Sequence, residues 1–197
     1  MINAPVLALV AFALVSSLTP GPNNLMLMAS GANFGVLRTV PHILGVGLGF
    51  ALMIFLVGIG LVGVFELWPP ALTVLKVVSV GYMLWLAWKI AHSAPPSLAQ
   101  DKGKARPMTF LQAVMFQWVN PKAWTMALTA ITVYAPKHDI PAVLAVALVF
   151  GAVNLPSVSS WAAMGTLMRQ ALTTPWWLRA FNWSMAALLI GSLALTL

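Results

Sequence analysis

Two short stretches of this chain hold the residue types that could bind a small polar molecule inside an otherwise apolar sequence. The first is Leu18-Thr19-Pro20-Gly21-Pro22-Asn23-Asn24, and the second is Asn120-Pro121-Lys122. Each interrupts a run that otherwise reads as one membrane-crossing helix. A proline in a helix interior removes an amide donor and crowds the carbonyl one turn back. Pro20 and Pro22 should therefore free the carbonyls of Ser16 and Leu18, and Pro121 that of Gln117. In hydrocarbon those oxygens must be met by protein, water or a ligand. Freed carbonyls suit an ammonium, and the amides of a restarted helix suit a carboxylate. The two breaks together are predicted to grip both ends of a small amphiphilic metabolite.

Each residue has a plainer reading beside this one. Pro20, Gly21 and Pro22 have a plain reading as the kink of a packed helix, but two prolines around a glycine exceed what a kink needs. Asn23 and Asn24 either cap the helix restart or hydrogen-bond a solute. Thr19 either bonds a carbonyl of its own helix or faces the solute. Asn120 and Pro121 mirror the first break. Lys122 is an ammonium within a span, which is costly and by default marks a functional position. It either pairs with a solute carboxylate or snorkels to the membrane surface. Asn154 and Pro156 kink a later span, and either pack there or line the path. His42 reads as a solvated side chain at a helix end, and Glu66 as a surface charge.

Composition sets the frame for these residues. The chain has 197 residues, 61% hydrophobic and 7% charged. That is too little charge to cover a soluble surface, so the chain is read as an integral membrane protein. At roughly 20 apolar residues per span, the length allows about six spans and no soluble catalytic domain. The formal charge of +7 is scattered between apolar runs and forms no dense patch, which argues against nucleic acid. Cysteine is absent, which excludes disulfides, thiolate catalysis and cysteine-bound metal. The start of the chain has no positive region and does not resemble a cleavable signal peptide.

In order, span one covers residues 5–29, with Asn3 as cap, and a short loop, 30–40, carries Arg38. Span two covers 41–64 and holds Gly45 and Gly49 at a spacing that admits a close helix neighbour. Span three covers 71–91 and ends in Trp85, Trp88 and Lys89, as interface anchors do. Residues 92–108 form a polar linker. Span four covers 109–134, and Thr109 and Gln112 have the spacing of a capping box. Asp139 is placed to cap span five, which runs to residue 168, and span six begins at Thr174-Pro175. Trp124 and Trp161 are candidates to line a cavity.

The expected fold is therefore an all-α integral membrane protein of six transmembrane helices, in one membrane domain. Residues 1–91 and 109–197 form two three-helix repeats, joined by a cytoplasmic linker, 92–108. An odd span number per repeat makes them inverted. The first span of each repeat is the broken one, the pattern that points to a transporter site at a repeat interface. Arg38, Lys89, Lys102, Lys104, Arg106, Arg169 and Arg179 fall on one side. The positive-inside rule makes that side cytoplasmic and puts both termini outside.

A family resemblance runs through most of the chain in order. Thr19-Pro20-Gly21-Pro22-Asn23, then Gly31, Gly35, Arg38, Gly45 and Gly49, resembles the N-terminal motif of the LysE/RhtB amino-acid exporters. Residues 81–89, GYMLWLAWK, resemble that family's third span. Phe110-Leu111-Gln112 followed by Asn120-Pro121-Lys122-Ala123 resembles its fourth. The resemblance implies proton-driven export of amino acids or related metabolites across the bacterial inner membrane, and a gating contact for Arg38. One departure concerns coupling. Family members often carry a polar or ionisable residue in the second span, where this chain reads Phe50-Ala51-Leu52-Met53-Ile54-Phe55.

The substrate-binding set is thus Thr19, Pro20, Gly21, Pro22, Asn23, Asn120, Pro121 and Lys122, with Arg38, Asn154 and Pro156 as gating or path-lining residues. No catalytic residue, metal or cofactor is expected. An intramembrane enzyme would need a nucleophile with a base, paired acids or metal ligands. The three histidines and three acids form no such constellation. A channel or a structural membrane subunit is the alternative. The partners expected are an amino acid or analogue, membrane lipid and a second copy as a homodimer, with no nucleic acid.

Overall fold

The computed structural model describes residues 4–61, 63, 67–92, 106–171 and 174–194. Asn3, Glu66, Asp101, Lys102, Lys104 and most of the expected linker lie outside the described residues. The described chain is helical, without strands. The helices are α1 (Ala4–Leu18), α2 (Pro22–Phe34), α3 (Val36–Leu56), α4 (Pro70–Ala91), α5 (Phe110–Phe116), α6 (Pro121–Tyr134), α7 (Ile140–Ala171) and α8 (Pro175–Ala194). A π-helical turn, Val57–Leu61, extends α3, and a 3-10 turn, Gln117–Val119, extends α5.

The helix ends follow local chemistry. The last regular bond of α1 runs from the Thr19 amide to the Val15 carbonyl, 3.0 Å, because Pro20 has no N–H to continue the ladder. Gly21 is extended and α2 restarts at Pro22, with its axis bent 54° from α1. Thr109 and Gln112 do form a capping box, the Thr109 amide donating to Gln112 Oε1 at 3.0 Å and the Gln112 amide to Thr109 Oγ1 at 3.2 Å. Asp139 caps α7 through a 2.9 Å bond from the Ala142 amide.

The loop expected over 30–40 is instead helical on both sides of one residue. Gly35 adopts φ +80° and returns its amide to the Gly31 carbonyl, ending α2, and α3 begins at once. A single left-handed glycine suffices for that turn. Pro41, expected to open the second span, lies inside α3.

Among the described residues, three helices are long and apolar enough to cross a membrane: Val36–Leu61, Pro70–Ala91 and Ile140–Met168. The bent pair α1–α2, counted as one span, brings the number to four. α7 lies at the centre and packs on α1, α2 and α3. α4 packs on α8, and α3 also packs on α5. Glycines permit the closest crossings. A Cβ on Gly31 would strike the Ala162 carbonyl, and one on Gly165 would strike the Met28 carbonyl, so α2 and α7 meet backbone to backbone. Gly45 and Gly49 serve α5 as their spacing predicts, a Cβ on either meeting Phe110 O at 2.5 Å or Val114 Cα at 2.8 Å.

Two apolar clusters flank this spine. Met83, Leu86, Phe116, Leu178 and Leu189 join α4, α5 and α8. Phe50, Met53, Ala127 and Phe150 join α3, α6 and α7. Large apolar side chains such as Val15, Val77, Trp88 and Leu148 remain exposed on the outside, as hydrocarbon contact requires. Trp124 packs edge-on against Trp118 and donates to its carbonyl at 2.9 Å, and Trp161 packs in the core. Neither borders the cavities described below.

Candidate functional site

The two breaks meet. Lys122, at the start of α6, sends its ammonium across to the α1–α2 break. Its Nζ lies 2.6 Å from the Thr19 carbonyl oxygen and 3.4 Å from that of Pro20. The charge sits at the C-terminal end of α1, where the helix dipole favours a cation. The Lys122 ammonium is thus held at the first break. Its path depends on Gly21, where a Cβ would lie 2.6 Å from Lys122 Cδ.

The asparagines do not cap α2, which has no side-chain cap. Asn24 Nδ2 donates to the carbonyls of Ser17 at 2.7 Å and Thr19 at 2.9 Å. Asn23 Nδ2 donates to Gln117 Oε1 at 2.8 Å, and Gln117 Nε2 returns a 3.3 Å bond to Asn23 Oδ1. The ladder of α1 ends on the Val15 carbonyl, and beyond it the carbonyls of Ser17, Thr19 and Pro20 carry the side-chain contacts. The Gln117 carbonyl, expected to be freed by Pro121, is not free. It accepts the Asn120 amide at 3.3 Å, since the 3-10 turn shifts the bonding by one residue.

Asn120 is the cap of α6, its Oδ1 accepting the Lys122 amide at 3.2 Å, with Pro121 in the first turn. Asn120 and Asn154 are both buried and, with Ser17, Gly21, Asn24 and Lys122, border a cavity of ≈30 Å³. That is room for a water or two, not for an amino acid. Ser17 Oγ is buried there with no partner among the described residues. Phe50, Met126 and Val158 close the apolar side.

Other expected site residues lie elsewhere. The Thr19 hydroxyl bonds its own helix at Val15 O, 2.6 Å, so its carbonyl and not its side chain faces the site. Pro156 is exposed on α7 and does not border the cavity. Arg38 is exposed at the end of the bundle, 5.6 Å over the Phe34 ring. His42 is not solvated but 2% exposed, because α3 starts earlier than expected and carries it inside. Gln117, fully buried, and Ser17 were not singled out from sequence. A glutamine one turn before a mid-span Asn-Pro is the signal that could have found the first.

A broken helix pair facing a second interrupted span is the pattern found in membrane transport proteins with interrupted helices. The family model for LysE type translocators matches residues 14–197, and the chain belongs to that family. Such proteins are transporters and not enzymes. The chain is 29% identical to a cysteine/O-acetylserine efflux protein of Klebsiella pneumoniae over 93% of its own length and 92% of that protein's. It is 28% identical to one of Escherichia coli K12 over 81% of each chain. No solved structure matches.

Proposed function

We propose that this translocator is a proton-driven exporter of small amino acids across the bacterial inner membrane. The relatives' names favour L-cysteine or O-acetyl-L-serine as cargo. The observation that carries the reading is the Lys122 ammonium on the Thr19 carbonyl. It occupies the place a cargo ammonium would take, and the cavity beside it is closed down to ≈30 Å³. Cargo entering the break must displace that ammonium.

Displacement supplies a coupling that needs no membrane carboxylate. Protonated Lys122 and the cargo ammonium compete for the same carbonyls. If Lys122 yields its proton to the cytoplasm as cargo binds, and regains one from outside as cargo leaves, one proton enters per amino acid exported. The neutral zwitterion leaves and a charge enters, so the cycle is electrogenic. Among the described residues, Lys122 is the titratable side chain bordering this cavity.

Six spans in two inverted halves, 1–91 and 109–197, with both termini periplasmic, suit this cycle. In support, α3 packs on α5 while α7 packs on α1, so the long helix of each half grips the first broken segment of the other. Rocking of one half against the other would alternate access.

Cells preloaded with L-cysteine should lose it faster when the protein is expressed. Pro20→Ala and Asn120→Ala should abolish the gain, and an uncoupler should stop it. Efflux unchanged in both variants would remove the site, and efflux indifferent to the uncoupler would remove the proton exchange. Saturable, counterflow-competent flux in proteoliposomes separates a carrier from a channel.

A further inference from the structure

We infer that the chain has a second binding site, a chamber that holds an α-amino acid on its way to the central break. The inference rests on the exporter reading above. The chamber is a cavity of ≈310 Å³ between α2, α3, the end of α4 and the segment entering α5. That is ten times the central cavity's ≈30 Å³ and within the roughly 300–1,000 Å³ range of small-molecule sites. Every element contributing to it does so at the same end of the bundle. On the orientation proposed above, that end faces the cytoplasm.

The chamber walls match an amino acid's two charges. Lys89 and Arg106 border it. The one carboxylate among the described residues, Asp139, caps α7 at the opposite end, where neighbouring His138 reaches the Gly58 carbonyl beyond α3 at 2.9 Å. The charged side chains that border the chamber among the described residues are therefore cationic, the complement of a carboxylate.

Two unanswered polar side chains then favour an amino group over a plain carboxylic acid. His42 borders the chamber at 2% exposure, and neither ring nitrogen has a hydrogen-bond partner among the described residues. Asn33, also on the wall, donates its amide to the Ala29 carbonyl at 2.7 Å and to Asn182 Oδ1 at 3.4 Å, and its Oδ1 is buried with no partner among the described residues. Buried polar atoms without partners are destabilising, and a native structure keeps them where a ligand or water completes them. A neutral histidine offers one donor and one acceptor. With the Asn33 oxygen, that gives two acceptors for an ammonium and one donor for a carboxylate. Met26, Leu86, Ile90 and Met108 leave an apolar wall for a short side chain.

The chamber is spacious while the central break is shut, so the captured state is one in which cargo waits and Lys122 still holds the carbonyls. The test is equilibrium binding of labelled L-cysteine, kept reduced, to the purified full-length protein in detergent. Wild type should bind two molecules per chain, or one held here. His42→Leu should lose one molecule or weaken its binding about tenfold, the effect of one lost charge-assisted hydrogen bond. Arg106→Ala should weaken the same molecule. Arg106 is exposed, so its variant carries the test if His42→Leu fails to fold. Binding identical to wild type in both folded variants overturns the chamber and leaves the exporter standing. No binding by wild type overturns both.

Discussion

Asn23 and Gln117 exchange two side-chain hydrogen bonds, 2.8 and 3.3 Å long, between residues 94 positions apart. Gln117 is fully buried and also donates to the Ala113 carbonyl at 2.8 Å. The pair locks the restarted helix of the first break to the turn that precedes the second.

Truncating one partner should therefore cost more than truncating both. Asn23→Ala strands the buried Gln117 Oε1, a loss of about 1–3 kcal/mol. The double variant with Gln117→Leu should recover part of it. Thermal unfolding in detergent, read as a double-mutant cycle, checks this. Additive losses would mean the two amides do not act as a pair.

Lys122→Met keeps the stem that packs beside Gly21 and removes the charge. The Thr19 and Pro20 carbonyls lose their ammonium, and cargo no longer competes for them. Net uphill efflux should fall about tenfold or more, while exchange of external for internal amino acid continues. Lys122→Arg keeps the charge but resists deprotonation, so it should block both net efflux and its response to a pH gradient. Wild-type proton coupling in Lys122→Met proteoliposomes would place the proton elsewhere.

Gly21→Ala puts a methyl 2.6 Å from Lys122 Cδ. The long side chain can yield, so the fold should survive with little change in unfolding temperature. The ammonium should be pushed off Thr19, and efflux should drop as in the Lys122 variants. Wild-type efflux from Gly21→Ala would show that the 2.6 Å Lys122–Thr19 contact is dispensable.

Glycines at helix crossings should separate from those in open space. Gly165→Val drives side-chain atoms into the Met28 carbonyl of α2, which is backbone and cannot swing aside. A loss of about 1–3 kcal/mol is expected. Gly81 has nothing within 4 Å of a built Cβ, so Gly81→Ala should be neutral or gain about 0.5–1 kcal/mol. Unfolding temperatures of the two purified variants decide it.

The sequence by itself determined the membrane class, the positions of the breaks and most helix ends. Those are local effects: proline cannot donate, Thr109 and Asp139 can cap, and apolar length sets a span. It also pointed to Lys122, because a charge in an apolar run is costly wherever the chain folds. Tertiary structure alone decided what that charge does. The oxygens it meets belong to residues more than a hundred positions away, and no local pattern records which helix lies opposite. The same holds for Gln117 and His42, whose roles come from burial. A polar side chain near a helix end reads as solvated until α2 and α3 are seen to be joined by Gly35 alone, which carries His42 inside.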